Sequence, residues 1–256
     1  MAKQYINLTL RWKTLYITYI FPNIGDKMER ASLIEGLRIL KIHESMSALV
    51  EPINEGTAFY VTDPEKIAAI KVIFNEKLAE ERAHVDLSRI IRDLKILSTL
   101  DAKMKITEKK TRIQGGYQMF EMNNLDIGIA PVKYDRSLKL PASFAAEKAD
   151  LLMFTKFASK ISKIFSITVE PVEIRLYASN DEGDETELLL VADQLRSLSA
   201  DKKYNSQYTI AWLKHFVKNT SAGYVQVSIN DDYPMVLEAE TQDYYARMIV
   251  APIIQS

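Results

Sequence analysis

The sequence contains no cysteine. It therefore has no disulfide framework, no thiolate zinc site and no cysteine nucleophile, which fits a reducing interior and disfavours a small secreted scaffold. No apolar run approaches the roughly 20 residues needed to span a bilayer. The N-terminus, with Tyr5, Asn7, Arg11 and Lys13, lacks the long apolar core of a signal peptide. The expected setting is cytoplasmic, or nuclear in a eukaryote, with no membrane partner. An excess of either charge is also missing: 33 Lys and Arg stand against 34 Asp and Glu, a formal net charge of −1. Nucleic-acid binders are often strongly basic overall, so any DNA contact has to come from local segregation of charge. Neither a Gly-x-x-x-x-Gly-Lys-Ser/Thr nor a Gly-x-Gly-x-x-Gly run occurs. The three histidines, His43, His84 and His215, lack metal-ligand spacing. Ser199-Ala-Asp-Lys202 matches a Ser-x-x-Lys pattern but lies in a predicted loop without companion motifs, and reads as a chance match. The acidic turn Asp181, Glu182, Asp184, Glu185 lacks the ligand spacing of a calcium loop. No catalytic residue, metal site or cofactor is expected.

What is present is 256 residues of ordinary globular composition, 47% hydrophobic and 26% charged, enough for one large domain or two modest ones. The most informative stretch is near the end. Tyr224-Val-Gln-Val-Ser-Ile229 alternates apolar and polar residues, the period of a half-buried strand. Asn230-Asp-Asp-Tyr-Pro234 is a turn cluster, Met235-Val-Leu-Glu238 returns as a strand, and Ala246 to Val250 reads as another. Upstream, Tyr208 to Lys218 has helical spacing.

Taken in order, residues 5–21 read as a hairpin. A helix is expected over about Leu33–Met46 with Ser32 as its cap. Strands follow at Ala48–Ile53 and Thr57–Thr62, then Lys66–Phe74, with a short helical turn over Asn75–Ala83. Asp86–Leu97 is the clearest helix, with Ile90, Ile91, Leu94 and Leu97 on one face. Met104–Thr107 and Thr111–Met122 read as strands, and Asn123–Asp135 as a linker. The pattern then recurs: a strand at Ser137–Leu140, and a helix over about Ala145–Phe165 with Leu152, Phe157, Ile161 and Ile164 inward. Strands at Ile167–Val169, Val172–Ala178 and Thr186–Val191 precede a loop at Asp193–Asn205 and a helix at about Ser206–Asn219. Each half is helix, strands, helix, strands; the repeat is one of pattern, not of residue identity.

The order of helix, strand, Asp232-Tyr-Pro234, strand and Ala251-Pro252 resembles the C-terminal end of a DNA sliding clamp of the proliferating cell nuclear antigen (PCNA) family. Gly56 to Ala68, Val85 to Lys95, Leu138 to Ala142 and Tyr208 to Lys218 extend the resemblance over roughly residues 30–256. It departs in its first twenty or so residues, in the short connector 123–135, and in the basic positions of the first helix, as a divergent member would. The resemblance implies an α+β fold of two similar clamp domains, each with helices on one face of antiparallel sheets, assembling into a ring. The domains would be 1–122 and 136–256, joined by the connector 123–135. It implies a non-enzymatic processivity factor that tethers a DNA polymerase and other replication or repair enzymes to duplex DNA without reading sequence. A clamp loader would place it there, and it would work as a homo- or heterotrimer.

Three sets of residues follow. Basic stripes opposite apolar helix faces are expected to meet phosphates: Arg38 and Lys41; Arg89, Arg92 and Lys95; Lys156, Lys160 and Lys163; Lys214 and Lys218. The resemblance places a groove for short hydrophobic client motifs at Ile127, Ile129 and Pro131 in the connector, and at Pro234, Val250, Ala251 and Pro252 near the end. It also pairs an edge strand at about Arg112–Glu121 with one at Thr186–Val191 of the next subunit. Lys109, Lys110 and Arg112 at one edge oppose Asp184 and Glu185 at the other. Solvated helix faces, packed connector residues and plain hairpin turns are the alternative readings of these sets. A specialised clamp subunit, from a heterotrimer or a checkpoint-type ring, is the alternative within the fold. A small α+β enzyme with no recognisable site is the alternative outside it.

Overall fold

A computed structural model describes residues 28–42, 47–65, 67–126, 138 and 140–254. The hairpin expected at 5–21 and the strand at Ser137–Leu140 lie wholly or largely outside those residues. The first half consists of α1 (Arg30–Leu40), β1 (Ser47–Ile53), β2 (Gly56–Thr62), β3 (Ala68–Phe74), β4 (Ala83–Asp86), α2 (Leu87–Ile96), β5 (Lys103–Ile106), β6 (Lys110–Gly115) and β7 (Gln118–Asn123). The second consists of β8 (Ala142–Glu147), α3 (Lys148–Ile161), β9 (Ile164–Val169), β10 (Glu173–Ser179), β11 (Glu185–Val191), β12 (Ser197–Ser199), β13 (Tyr204–Thr209), α4 (Ile210–Asn219), β14 (Tyr224–Ile229), β15 (Met235–Glu240) and β16 (Tyr244–Val250). Every ladder between these strands is antiparallel.

The two halves share one sheet. Its strand order is β12-β8-β14-β15-β16-β3-β2-β1-β4, so β16 of the second half pairs with β3 of the first. That ladder runs from Tyr244 opposite Phe74 to Val250 opposite Ala68. Two smaller sheets, β11-β10-β9-β13 and β5-β6-β7, complete the β layer. The four helices lie side by side: α2 packs on α1, α1 on α4, and α4 on α3. One core of Leu, Ile, Val, Phe and Met side chains runs between helices and sheets through both halves. At its centre Phe74 stands edge-on to Phe59 at 5.4 Å and to Tyr244 at 6.2 Å, an aromatic chain across the seam. His215 of α4 reaches the Ile39 carbonyl of α1 at 2.8 Å across the same seam.

Local chemistry explains the elements. Asp86 caps α2 by accepting the Arg89 N–H at 3.0 Å, and the face predicted from Ile90, Ile91, Leu94 and Leu97 is the buried one. The β14–β15 turn places Asp232 at φ 48°, a left-handed geometry that Asp tolerates. Several expectations are corrected. α1 begins at Arg30 rather than after Ser32, whose hydroxyl instead donates to the Asp243 carboxylate. Residues 75–82 form no helical turn; Thr57 organises them, its hydroxyl oxygen accepting from Leu78 N (2.7 Å) and Ala79 N (3.2 Å) while the hydroxyl donates to the Glu76 carbonyl (3.0 Å). The strand expected over Thr111–Met122 is a hairpin turning at Gly116, φ 58°. Ala145–Glu147 belong to β8, not to the helix, and α3 buries Leu151, Phe154, Thr155 and Ala158 while Phe157 and Ile164 are exposed. Residues 193–205 hold β12 and the start of β13, and Tyr208 and Thr209 are strand rather than helix.

Candidate functional site

The helix layer is where charge segregates. The four helices carry ten Lys and Arg against three Asp and Glu, in a chain whose net charge is −1. Arg38, Lys41, Arg89, Arg92, Lys95, Lys156, Lys160, Lys163 and Lys218 are exposed. They are not equivalent. Arg92 Nε lies 3.0 Å from the carboxylate of Asp93, a side chain almost wholly removed from solvent, so this arginine also neutralises its own helix. Lys214 donates to the Ser159 hydroxyl at 2.8 Å and ties α4 to α3. Lys160 stands over the Phe157 ring at 5.7 Å. Lys163 lies beyond the end of α3, beside an open cleft of about 550 Å³ lined by Ser162, Ser166, Tyr177, Asn180 and Gln207. Arg38, Arg89, Lys95, Lys156 and Lys218 are exposed helical cations. Such groups neutralise phosphates without reading bases.

A second surface lies at the end of the chain. The tail after β16 crosses to the second half's smaller sheet, with Ile253 N donating to the Gln207 carbonyl at 2.8 Å. Beside it, Asn205, Ser206, Gln207, Asp232, Ile253 and Ile254 line a cleft of about 230 Å³. The Tyr208 hydroxyl, pushed up to about 12 chiefly by burial, donates to the Tyr233 carbonyl at 2.7 Å and fixes the β14–β15 turn above that cleft. Pro234, Ala251 and Pro252 are half-buried, whereas Val250 is fully buried as the last residue of β16 and belongs to the core. Ile127, Ile129 and Pro131 lie outside the described residues. Ile253, Ile254, Gln207 and Asp232 were not anticipated; the Ile-Ile pair after Ala251-Pro252 was the signal in the sequence.

The third surface is a pair of sheet edges. Within the three-stranded sheet β6 is central and paired on both sides, so of the residues expected at an edge only those in β7 lie on one. Lys110 and Arg112 are on β6 and are bound to Glu121 at 2.6 and 2.7 Å. Hydrogen bonds from Lys110 and then Arg112 hold the Glu121 carboxyl down to about 2. β11 is the outer strand of its sheet. At its start Asp184 accepts from Asn180 Nδ2 at 3.0 Å and Glu185 from the Tyr177 hydroxyl at 2.9 Å. No cluster of His, Asp and Glu able to hold a metal occurs among the described residues, and no helix there is long and apolar enough to cross a membrane.

No family model matches the chain. A DNA polymerase sliding clamp from Thermoplasma volcanium is 23% identical over 201 residues, which is 72% of this chain and 78% of that protein. Among solved structures, A. fulgidus PCNA bound to the C-terminal region of FEN-1 superposes with a TM-score of 0.80 at 20% identity, covering 90% of this chain and 98% of that one. PCNA from Entamoeba histolytica gives a TM-score of 0.75 at 18% identity, with 89% and 97% covered. PCNA from Thermococcus kodakaraensis gives 0.73 at 19%, with 87% and 97% covered.

Proposed function

We propose that this chain, which has the two-part sliding-clamp fold and is a distant relative of the PCNA-type clamps, is a non-enzymatic processivity factor. It closes into a ring with other clamp subunits around duplex DNA and tethers a polymerase there. The observation that carries the reading is the excess of ten basic over three acidic residues on four adjacent helices in a nearly neutral chain. A surface of that kind suits sliding. Phosphate contacts are independent of sequence, and a closed ring keeps weak contacts from ending in escape. The tethered enzyme then gains through effective concentration rather than through tighter binding. Residues 1–122 and 136–256 act as the two clamp domains, and a loader opens the ring.

Client enzymes dock through short apolar motifs at the cleft beside the tail, on Ile253, Ile254 and the β14–β15 turn. Support comes from A. fulgidus PCNA, which binds the C-terminal region of FEN-1.

The test replaces Arg89, Lys95, Lys156 and Lys218 by Ala, leaving Arg92 with its buried partner. Each phosphate that is no longer neutralised lowers the slope of log affinity against log salt by about 0.9. Retention on closed circular DNA and polymerase processivity should fall while the melting temperature holds. A quadruple variant that is retained like wild type would mean the helix layer is only a solvated face.

A further inference from the structure

The side of the shared sheet that faces away from the helices carries a band of charge. β16 turns Tyr244, Ala246, Met248 and Val250 into the core and turns Tyr245, Arg247 and Ile249 the other way. Register places Arg247 between Glu238 of β15 and Lys71 of β3, so two cations stand directly opposite each other across the seam of the two halves. Like charges in that position repel. Lys71 lies over the Tyr60 ring of β2 at 5.3 Å. Glu238 only partly offsets the arginine. Its Oε1 accepts from the Tyr245 hydroxyl and stands 3.7 Å from Arg247 Nε, beyond hydrogen-bond reach. Burial, and then the bond to Glu238, raises the Tyr245 hydroxyl above its usual value, so Tyr245 keeps its proton and its hold on that oxygen. Arg247 Nε is buried and has no hydrogen-bond partner among the described residues, while the side chain as a whole is 24% exposed. This guanidinium has given up hydration without gaining a bonded anion.

We propose that Arg247 is a carboxylate site for client enzymes: it takes an Asp or Glu side chain beside the apolar anchor of the docked motif and so selects clients that carry one. Charge selects the ligand class. An arginine with Lys71 opposite it calls for an anion, and the planar guanidinium matches a carboxylate. Glu238 on its other side leaves place for one more negative charge and disfavours the near-double charge of a phosphate. Position selects a peptide as the source. On the same face Arg247 is followed by half-buried Ile249 and then by Ala251, one and two strand pleats away, about 7 and about 13 Å. Register sets buried Val236 and Ala69 on either side of Ile249. An apolar strip thus joins the cation to the residues beside the tail. The inference rests on the client reading above and goes beyond it in giving the motif a second, charged element.

The experiment is calorimetric titration of the full chain with synthetic peptides that share one apolar, aromatic-ended anchor. One set carries a single Glu at each neighbouring position in turn, and the matched set carries Gln there. Glu at one position, about two to four residues from the anchor, should bind about tenfold more tightly than Gln at low salt, the effect of one charge-assisted hydrogen bond. In Arg247→Gln that preference should fall to about one. Arg247→Lys keeps the charge without the planar fork and should retain a preference of about threefold, which also guards against a variant that fails to fold. Equal affinity of Glu and Gln peptides at every position, a preference that survives in Arg247→Gln, or tighter binding of phosphoserine than of Glu at the preferred position would each overturn the proposal and leave the client groove standing. If no peptide of either set binds the wild-type chain, the client reading falls and this inference falls with it.

Discussion

Gly36 offers a test of how tightly the helix layer sits on the sheet. It is inside α1, where Ala would ordinarily be favoured over Gly by about 1 kcal/mol. A Cβ placed there would meet Phe74 Cζ at 2.6 Å and Cε1 at 2.7 Å, with Val72 Cγ1 at 3.4 Å. The Phe74 ring cannot retreat, because it is fully buried and held edge-on by Phe59 and Tyr244. Forcing a methyl group into such a core costs about 1–3 kcal/mol. The overpacking should win, and Gly36→Ala should lower stability by up to about 2 kcal/mol after the helix gain is set against it. The decisive measurement is a double-mutant cycle by urea unfolding. Phe74→Leu deletes the two ring atoms that obstruct the methyl, at a cost of roughly 1–2 kcal/mol alone. In that background Gly36→Ala should become neutral or stabilising, a favourable coupling of about 1 kcal/mol or more. If the two changes simply add, the close approach of α1 to β3 is not what selects glycine.

Three further outcomes are expected. Arg92→Ala should cost about 1–3 kcal/mol because it strands the buried Asp93 carboxylate, whereas Arg89→Ala should stay within about 0.5 kcal/mol; chemical denaturation of the pair separates a paired cation from a solvated one. Thr57→Val keeps shape but removes the oxygen that serves Leu78 N, Ala79 N and the Glu76 carbonyl, and should lower stability by about 2–4 kcal/mol, read from the urea midpoint. Burial, opposed by the Met28 N–H and reinforced by Asp243, raises the Glu76 carboxyl above its usual value. The folded state then holds that proton more tightly than the unfolded chain, so stability is lost as pH rises through the folded value. Glu76→Gln should raise the urea midpoint at pH 7.5 and leave it nearly unchanged near pH 4, and a gain at both values would point to a cause other than that proton.

The sequence conveyed the repeated order of helices and strands and the face of α2, because both rest on local periodicity. It misread α3 for a physical reason. Ala142-Ser-Phe-Ala-Ala-Glu147 favours helix by intrinsic preference, yet it lies between β14 and β12, where ladder bonds on both sides override that preference. Spacing reads the inward face as Leu152, Phe157, Ile161 and Ile164, whereas the packing of α3 buries Leu151, Phe154, Thr155 and Ala158 and leaves Phe157 exposed. The Thr111–Met122 hairpin was legible in principle from Gly115-Gly116, since Gly116 supplies a left-handed turn. In the candidate site the basic residues were legible as spacings. Their differences were not, because the burial of Asp93 and the reach of Lys214 to Ser159 depend on packing between segments that spacing does not encode.

The β3–β16 ladder makes the connection between the halves dispensable for holding them together. Seven residue pairs, from Tyr244 opposite Phe74 to Val250 opposite Ala68, join them through backbone bonds, and the aromatic chain Phe59, Phe74, Tyr244 runs beneath. A chain cut between Asp126 and Leu138 should therefore keep its halves as a non-covalent pair, and two separately made fragments, 1–126 and 138–256, should complement each other by rebuilding one sheet.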